Sequence, residues 1–189
     1  MRYLKNGLKK FGLYNIDVRY LEILHEQDSE VRYSKNLSYE HKPYVGVVVM
    51  CESYKYFIPL TSAKPKHVGW KNVSKTHYLV YEMVEEEEIR DTDIIKRSEN
   101  GNIKILSALE INKMIPIPLN CFERIDFNKL QDDKYRALLL KEFLFLQNVQ
   151  DGIYEKSQKI YNTQIQTGKI FNRHCNFRLL EKICTNWKN

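Results

Sequence analysis

Five side chains that could bind a phosphate lie within a short stretch between positions 61 and 67. They are Thr61, Ser62, Lys64, Lys66 and His67. The lysines supply positive charge, the hydroxyls supply hydrogen-bond donors, and a loop backbone can add N–H groups. The sequence has neither the G-x-x-x-x-G-K pattern of a P-loop nor the G-x-S-x-G elbow of acyl hydrolases. We therefore expect an anionic ligand to bind here without a nucleotide-binding loop.

A predicted β-hairpin directly precedes this cluster in the sequence. Residues 45–50 form a β-branched, apolar run of strand length, and Cys51-Glu52-Ser53 is a polar turn. Residues 54–60 form a second, aromatic-rich strand that Pro59 stops near its end. A strand that ends in a polar loop is a common setting for functional side chains, because a rigid scaffold positions the loop. We therefore predict a functional loop at residues 61–67.

The rest of the chain predicts strands first and helices afterwards. The expected strands are Leu13–Ile16, His77–Val84, a second hairpin around Asn100-Gly101, and residues 110–119 at a sheet edge because of Pro116 and Pro118. The expected helices start near Asp17, near Asp132 or Asp133, and at Ile153 with an end at Gly168, and a last one carries Phe177, Leu180, Cys184 and Trp187. Asp151-Gly152 is expected to break or kink the helical stretch. This order favours an α+β fold with a strongly bent or barrel-like antiparallel sheet and helices on one side.

The composition favours a polyanionic partner. The formal net charge is +6 with a pI of about 9.0, and nucleic acid is the usual partner of so basic a protein. The chain has 13 tyrosines, and Tyr20, Tyr33, Tyr39 and Tyr44 all precede the cluster. Unpaired bases stack on aromatic rings beside a basic groove, at about 1–3 kcal/mol per base. For any single tyrosine, a place in the core or on the sheet face is the commoner role.

Cleavage of RNA without a metal requires a base for the ribose 2′-OH, a group that stabilises the charged phosphorane, and an acid for the leaving 5′ oxygen. A lysine is ordinarily charged at neutral pH, so Lys64 suits charge stabilisation first. It would act as a base only if its pKa were strongly lowered. Thr61 and Ser62 can donate hydrogen bonds, and His67 or His77 could exchange a proton near neutral pH. The general base stays open, since a structural role is commoner for each histidine.

The chain of 189 residues predicts one domain at residues 13–189, preceded by a basic leader or arm at residues 1–12. The four cysteines form no C-x-x-C pair, which favours free thiols in a reducing cytoplasm over a zinc site. No apolar run is long enough to span a bilayer, and residues 1–12 lack the features of a secretory signal. The acidic run at residues 85–88 is more typical of a solvated loop than of a metal or partner site.

The Leu60-Thr61-Ser62-x-Lys64 run after an aromatic-rich strand resembles the toxins of type III toxin–antitoxin systems, the ToxN/AbiQ family of endoribonucleases. The likeness extends from about residue 13 to residue 169. Further matches occur in the family's order at Arg19-Tyr20, Tyr44-Val45-Gly46-Val47-Val48, Tyr56-Phe57-Ile58-Pro59, His67, Met114-Ile115-Pro116-Ile117, Lys134-Tyr135-Arg136 and Glu155-Lys156-Ser157. Several matches in one order make the resemblance far more specific than the loop alone.

The resemblance implies a β-barrel core related to the MazF/Kid toxins, with helices added mainly at the C-terminal end. It also implies a metal-independent, sequence-selective endoribonuclease that needs no cofactor and leaves a 2′,3′-cyclic phosphate. The implied partners are the RNA substrate and a repeated, pseudoknotted RNA antitoxin that binds the toxin directly, with an RNA-mediated oligomer as one form of the assembly. The implied setting is phage abortive infection or plasmid maintenance in the cytoplasm, with no membrane contact.

Carried over residue by residue, the family's active-site positions fall on Tyr20, Tyr39, Thr61, Ser62 and Lys64, and His67 matches a family histidine. With the chain's own Lys66, they make an expected site of seven residues without a metal. The catalytic ones are Thr61, Ser62 and Lys64, and the RNA-binding ones are Tyr20, Tyr39, Lys66 and His67. Ala63 stands where the family often has proline, and Lys66 stands where an aromatic residue can occur, so the cleavage sequence is open. A non-catalytic RNA-binding module is the alternative, and a protein-interaction domain would leave the loop unexplained.

Overall fold

An eight-stranded antiparallel sheet carries the fold, which we describe from a computed structural model. The structure describes residues 11–33, 44–51 and 54–187, with residues 44–51 as backbone only. The strands are β1 (Leu13–Ile16), β2 (Tyr44–Cys51), β3 (Tyr54–Ser62), β4 (His77–Val84), β5 (Ile94–Ser98), β6 (Gly101–Glu110), β7 (Ile115–Pro116) and β8 (Phe122–Arg124). The α-helices are α1 (Val18–Gln27), α2 (Asp133–Asn148), α3 (Gln150–Thr167) and α4 (Phe177–Asn186).

The strands follow the order β4-β6-β3-β2-β1-β8, and β5 and β7 pair with β6 and β3. Both predicted hairpins are confirmed, since β2 pairs with β3 and β5 pairs with β6. The predicted antiparallel α+β class is confirmed as well. The described strands form an open path rather than a closed barrel, because β8 and β4 stand at opposite ends of it. The expected kinship with the MazF/Kid toxins stays a prediction.

Pro59 marks the point where pairing of β3 with β2 on one edge ends and pairing with β6 on the other edge begins. Up to Pro59 the strand pairs with β2, where Tyr44 lies opposite Pro59. Proline has no N–H to donate, so a change of partner is a tolerated place for it within a strand. Beyond it, β3 continues to Ser62 along β6, with the pairs Leu60–Leu109, Thr61–Ala108 and Ser62–Ser107. The prediction that Pro59 ends the strand and that a loop begins at Thr61 is therefore wrong, because β6 supplies new pairing.

Side-chain caps set the starts of the helices as the sequence predicts. The Asp17 carboxylate accepts from the N–H groups of Arg19 and Tyr20 at the start of α1. The Asp132 carboxylate does the same for α2. Gly168, with φ of 64°, ends α3 in the left-handed conformation that favours glycine. The expected caps and helix end are confirmed.

The break between α2 and α3 lies at Val149, not at Gly152. Gly152 is helical and packs closely against the sheet, since a Cβ there would lie 2.5 Å from the hydroxyl oxygen of Tyr78. The glycine thus serves helix–sheet contact rather than chain reversal. The predicted strand at residues 110–119 is replaced by a 3₁₀ turn, Ile111–Lys113, and the two-residue strand β7. Within the described chain, no helix combines the length and apolarity required to cross a bilayer.

Two apolar clusters hold the two faces of the sheet. The larger one packs β1, β3, β4 and β6 against the helices, with Tyr20, Tyr56 and Phe177 among its fully buried side chains. The smaller one, Leu79, Ile103, Ile105 and Ala108, has Ala63, Trp70, Tyr81 and Ile94 packed on it. Ala63 and Trp70 belong to the segment after β3, so this second cluster anchors the predicted functional stretch to the sheet.

Candidate active site

The Thr61 hydroxyl is fixed at the end of β3 by two acceptors from β6. It donates to the carbonyl oxygen of Ala108 at 3.0 Å and lies 3.3 Å from Oε2 of Glu110. Thr61 is opposite Ala108 in the ladder, and Glu110 lies on the same face two residues later. Because β3 and β6 are paired here, the hydroxyl has a defined position rather than a loop's range of positions.

Glu110 is a buried carboxylate whose charge is balanced by Arg32. Arg32 donates from Nε to Oε2 at 2.8 Å and from Nη2 to Oε1 at 2.5 Å. Such bidentate arginine–carboxylate pairs are strong and have a defined geometry. Burial would raise the pKa of Glu110, but the hydrogen bonds and charge of Arg32, the Thr61 hydroxyl and the charge of Lys113 together lower it. Glu110 is therefore ionised at neutral pH and acts as an acceptor.

Ser62 lies on the other side of the strand from Thr61. Successive strand side chains point to opposite faces, and residues directly opposite in the ladder share a face. Ser62 pairs with Ser107, which is buried, whereas Ser62 itself is exposed at the strand end. The two hydroxyls thus flank the end of β3 from its two faces, and a ligand that crosses this end would meet both.

Lys64 opens a tight turn that His67 closes. The Lys64 N–H donates to Nδ1 of His67 at 3.2 Å, and the His67 N–H donates back to the Lys64 carbonyl oxygen at 2.8 Å. Burial and then the charge of Lys66 lower the pKa of His67, so the neutral ring can accept this bond. The 3₁₀ helix Pro65–Gly69 follows, and the Lys64 side chain is exposed. His67 therefore shapes the turn that presents Lys64.

The Trp70 ring, directly after the 3₁₀ helix, packs between the imidazole rings of His67 and His77. Its ring centroid lies 4.6 Å from that of His67 and 4.5 Å from that of His77. Nζ of Lys66 lies 5.5 Å from the Trp70 ring centroid, a distance that suits a cation–π contact. Nε2 of His77 lies 2.9 Å from the carbonyl oxygen of Lys71 and donates to it, and burial lowers the pKa of His77. Both histidines are thus neutral members of a packed unit at pH 7.

A cleft of about 630 Å³ opens beside these groups. Lys66 and Trp70 line it from the turn and Glu110 lines it from β6. Arg32 lines it from the segment after α1, and Arg173 lines it from the connection between α3 and α4. Its volume is that of a typical ligand pocket, about 300–1,000 Å³. Lys66 of the predicted cluster thus lines the cleft, and Thr61 adjoins it through Glu110. Among the lining side chains, the cations outnumber the two glutamates.

Two of the predicted RNA-binding residues do not line this cleft. Tyr20 is fully buried, its hydroxyl donates to the carbonyl oxygen of Pro116 at 2.7 Å, and its ring packs edge-on against Trp187. A ring without exposed surface cannot stack on a base, so the structure places Tyr20 in the core instead of at an RNA surface. His67 is also buried, with only 1% of its surface exposed, and it forms part of the turn that presents Lys64. Tyr39 lies outside the described residues, and Lys66 does line the cleft.

The family model described as toxin ToxN of type III toxin–antitoxin systems matches residues 12–185. The chain belongs to this family. The resemblance read from the Leu60-Thr61-Ser62-x-Lys64 run is thereby confirmed.

Named relatives carry the same enzyme class as expected from the sequence. The endoribonuclease ToxN of Bacillus thuringiensis subsp. kurstaki is 29% identical over 184 residues, which is 93% of this chain and 83% of that protein. A solved structure from a bacterial antiviral system regulated by a processed non-coding RNA has a TM-score of 0.72 and 26% identity, over 94% of this chain and 99% of that one. Another, from a type III system in which an RNA pseudoknot inhibits the toxin, has a TM-score of 0.68 and 27% identity, over 92% and 95%.

This ToxN-family chain also uses residues that the sequence patterns did not single out. Glu110, Arg32 and Trp70 hold or border the site. Glu110 could have been found as a lone carboxylate at the end of the apolar run of β6, since a buried charge needs a partner. No local pattern marks Arg32, whose partner lies 78 positions away. Its role comes from the tertiary fold.

Proposed function

We propose that this ToxN-family chain is a metal-independent, sequence-selective endoribonuclease whose catalytic groups are Thr61, Ser62 and Lys64. The observation that carries the proposal is the arrangement at the end of β3. There the Thr61 hydroxyl is held by Glu110, which lines a cation-rich cleft, and the exposed Ser62 and Lys64 follow within three residues. This supports a site that receives a phosphodiester from two sides.

The chemistry needs no oxidant and no water. The ribose 2′ oxygen attacks the adjacent phosphorus, the bond from phosphorus to the 5′ oxygen breaks, and a 2′,3′-cyclic phosphate remains. The 2′ proton leaves to a base, and a proton is delivered to the departing 5′ oxygen. Lys64 supplies positive charge for the pentavalent intermediate, and Ser62 donates a hydrogen bond to one of its oxygens. Thr61 contributes its hydroxyl oxygen as a positioned acceptor for the substrate, because its own hydrogen is directed to Ala108 or Glu110.

Inhibition in this proposal comes from RNA. Two structural neighbours belong to systems controlled by a non-coding RNA, one of them a pseudoknot. The formal charge of +6 and the basic cleft suit such a partner. We expect a repeated, pseudoknotted RNA antitoxin to bind the toxin directly, with an RNA-mediated assembly and a role in phage abortive infection or plasmid maintenance. One neighbour's antiviral setting supports the first of these roles.

The test is incubation of a long RNA with purified protein in excess EDTA, followed by sequencing and chemical identification of the new ends. We expect cuts at a preferred sequence, with 2′,3′-cyclic phosphate ends that are lost in Ser62→Ala. Cleavage that EDTA abolishes would contradict metal independence. Intact RNA with tight binding retained would replace the enzyme by a non-catalytic RNA-binding module.

A further inference from the structure

The connection between α3 and α4 brings a cation to the catalytic cleft from a distant part of the chain. Arg173 lies in this connection, at residues 168–176, and lines the cleft together with Lys66. More than one hundred positions separate the two residues in the sequence. The fold therefore places Arg173 and the turn after β3 at the same opening.

Arg173 has a backbone conformation that its residue type rarely adopts. Its φ is 62°, and it is the sole non-glycine residue with positive φ in the described part of the chain. Left-handed backbone costs an L-residue with a Cβ free energy that glycine does not lose. Since glycine would fit this backbone without that cost, an arginine here points to a role for its side chain.

Two hydrogen bonds with Asn112, one donated and one accepted, hold this connection in place. Nδ2 of Asn112 donates to the carbonyl oxygen of Arg173 at 2.7 Å, and the Cys175 N–H donates to the carbonyl oxygen of Asn112 at 3.0 Å. Asn112 follows Glu110 by two residues, so the connection is tied to the strand end that orients Thr61. Arg173 is thus presented by a fixed backbone, although its side chain is exposed.

The charge of Arg173 is available to a ligand. Of the other cleft cations, Arg32 is paired with Glu110 and Lys113 with Glu30. Arg173 and Lys66 form no ion pair with any carboxylate in the described segments. Charge-assisted contacts from arginine to phosphate are strong and can be two-pronged. These two cations, which have no ion pair among the described residues, line a cleft that adjoins Thr61 through Glu110.

We propose that Arg173 binds a phosphate of the substrate RNA strand that lies in the cleft, next to the phosphate that is cleaved. This inference rests on the proposed endoribonuclease function and adds a substrate contact from the C-terminal part of the chain. Arg173 strengthens substrate binding and takes no part in bond breaking.

The experiment uses Arg173→Gly, which removes the side chain and suits the left-handed backbone. Binding of a labelled, mixed-sequence 20-nucleotide single-stranded RNA with 2′-O-methyl groups, which cannot be cleaved, is measured by fluorescence anisotropy over a range of salt concentrations. We expect about tenfold weaker binding at low salt. The negative slope of log K against log salt should become shallower by about 0.7, because one phosphate contact is lost. KM for cleavage of an unmodified RNA should rise by the same factor, with kcat unchanged.

Three further variants separate this account from a structural one. Arg173→Asn also tolerates positive φ and should match the glycine variant, while Arg173→Lys should keep the wild-type salt slope. Lys159→Ala removes an exposed charge from α3 outside the cleft and should bind as wild type does. Thermal midpoints of the Arg173 variants should not fall. Wild-type affinity and KM in both Arg173→Gly and Arg173→Asn, with the wild-type protein active, would overturn the inference, whereas an inactive wild-type protein would overturn the proposed function instead.

Discussion

Thr61 and Glu110 share one face of the β3–β6 pair, and the Thr61 hydroxyl oxygen lies 3.3 Å from the Glu110 carboxylate. Glu110 is held in turn by two hydrogen bonds from Arg32. Three parts of the chain therefore fix the position of one hydroxyl at the proposed active site. Since the carboxylate is ionised and already paired, its role in this account is to position Thr61.

Replacement of Glu110 by glutamine tests this positioning role. Glu110→Gln keeps the shape but removes the charge that Arg32 neutralises, so we expect a loss of about 1–3 kcal/mol of folding stability. The cleavage rate should fall while RNA affinity does not fall, because the substitution leaves the cleft cation Arg32 without its carboxylate. The measurements are urea unfolding and single-turnover cleavage. Glu99→Gln, at an exposed turn, is the control, and equal stability of the two variants would contradict the account.

The same pair predicts a dependence of stability on acid. The pKa of Glu110 in the folded chain lies below its ordinary value of 4.5. Its stabilisation is therefore complete above about pH 4.5 and is lost as the pH falls through the lower folded-state value. Glu110→Gln should lack this component, so its unfolding free energy should converge with that of the wild type in acid. A difference that stays constant down to pH 3 would contradict the prediction.

His67 predicts a separation of catalysis from binding. Because its ring is buried and accepts the Lys64 N–H, His67→Ala should lower the cleavage rate and leave RNA affinity within about threefold of wild type. His67→Asn, whose Oδ1 can replace Nδ1 as acceptor, should recover part of the rate. Single-turnover kinetics and anisotropy measure the two quantities. A His67→Ala variant that cleaves normally but binds RNA poorly would restore the direct RNA contact expected from the sequence.

The same imidazole should make cleavage sensitive to acid. The pKa of His67 is below 6.5 in the folded chain, so protonation in acid favours the unfolded state and removes the acceptor of the Lys64 N–H. The turn is therefore intact at neutral pH and is lost as the pH falls below the lowered pKa. A pH–rate profile should show this decline in the wild type, with a weaker decline in His67→Asn. Identical profiles would contradict the assignment.

Glu142 predicts the opposite dependence on pH. This carboxyl of α2 is 4% exposed, and burial raises its pKa to about 7, an effect that the Ser107 hydroxyl only partly offsets. A folded-state value above the ordinary 4.5 means that stability falls as the pH rises from about 4.5 to 7, by up to about 3 kcal/mol. Glu142→Gln should therefore be more stable than wild type at pH 8 and similar to it at pH 4.5. A difference in unfolding free energy between wild type and Glu142→Gln that stays constant from pH 4.5 to pH 8 would contradict this prediction.

Local patterns predicted the elements of the fold well. The hairpins, the caps at Asp17 and Asp132 and the helix end at Gly168 depend on residues close together in the chain, and the structure has them. The extension of β3 beyond Pro59 was missed, because it depends on pairing with β6, about 47 positions away. The low strand propensity of proline gives no sign that β6 is available for pairing in the folded chain.

The site was predicted as a stretch of sequence but not as a set of contacts. The residue types from Thr61 to His67 pointed to phosphate chemistry, and the family resemblance implied catalytic roles for Thr61, Ser62 and Lys64. Two adjacent hydroxyls were expected to act together in a loop, whereas the strand directs them to opposite faces. The roles of Arg32 and Arg173 depend on where distant segments cross the sheet, which no spacing along the chain encodes.

The most direct test of the catalytic assignment is the single-turnover cleavage rate of Lys64→Ala, measured with its RNA affinity. The control is Lys75→Ala, which removes an exposed lysine that does not line the cleft. If Lys64 stabilises the phosphorane, its loss should slow cleavage by about a hundredfold or more. Binding of the 2′-O-methyl RNA should weaken by no more than about tenfold, and Lys75→Ala should match wild type in both. Cleavage by Lys64→Ala at the wild-type rate would contradict the proposal that the end of β3 is the catalytic centre.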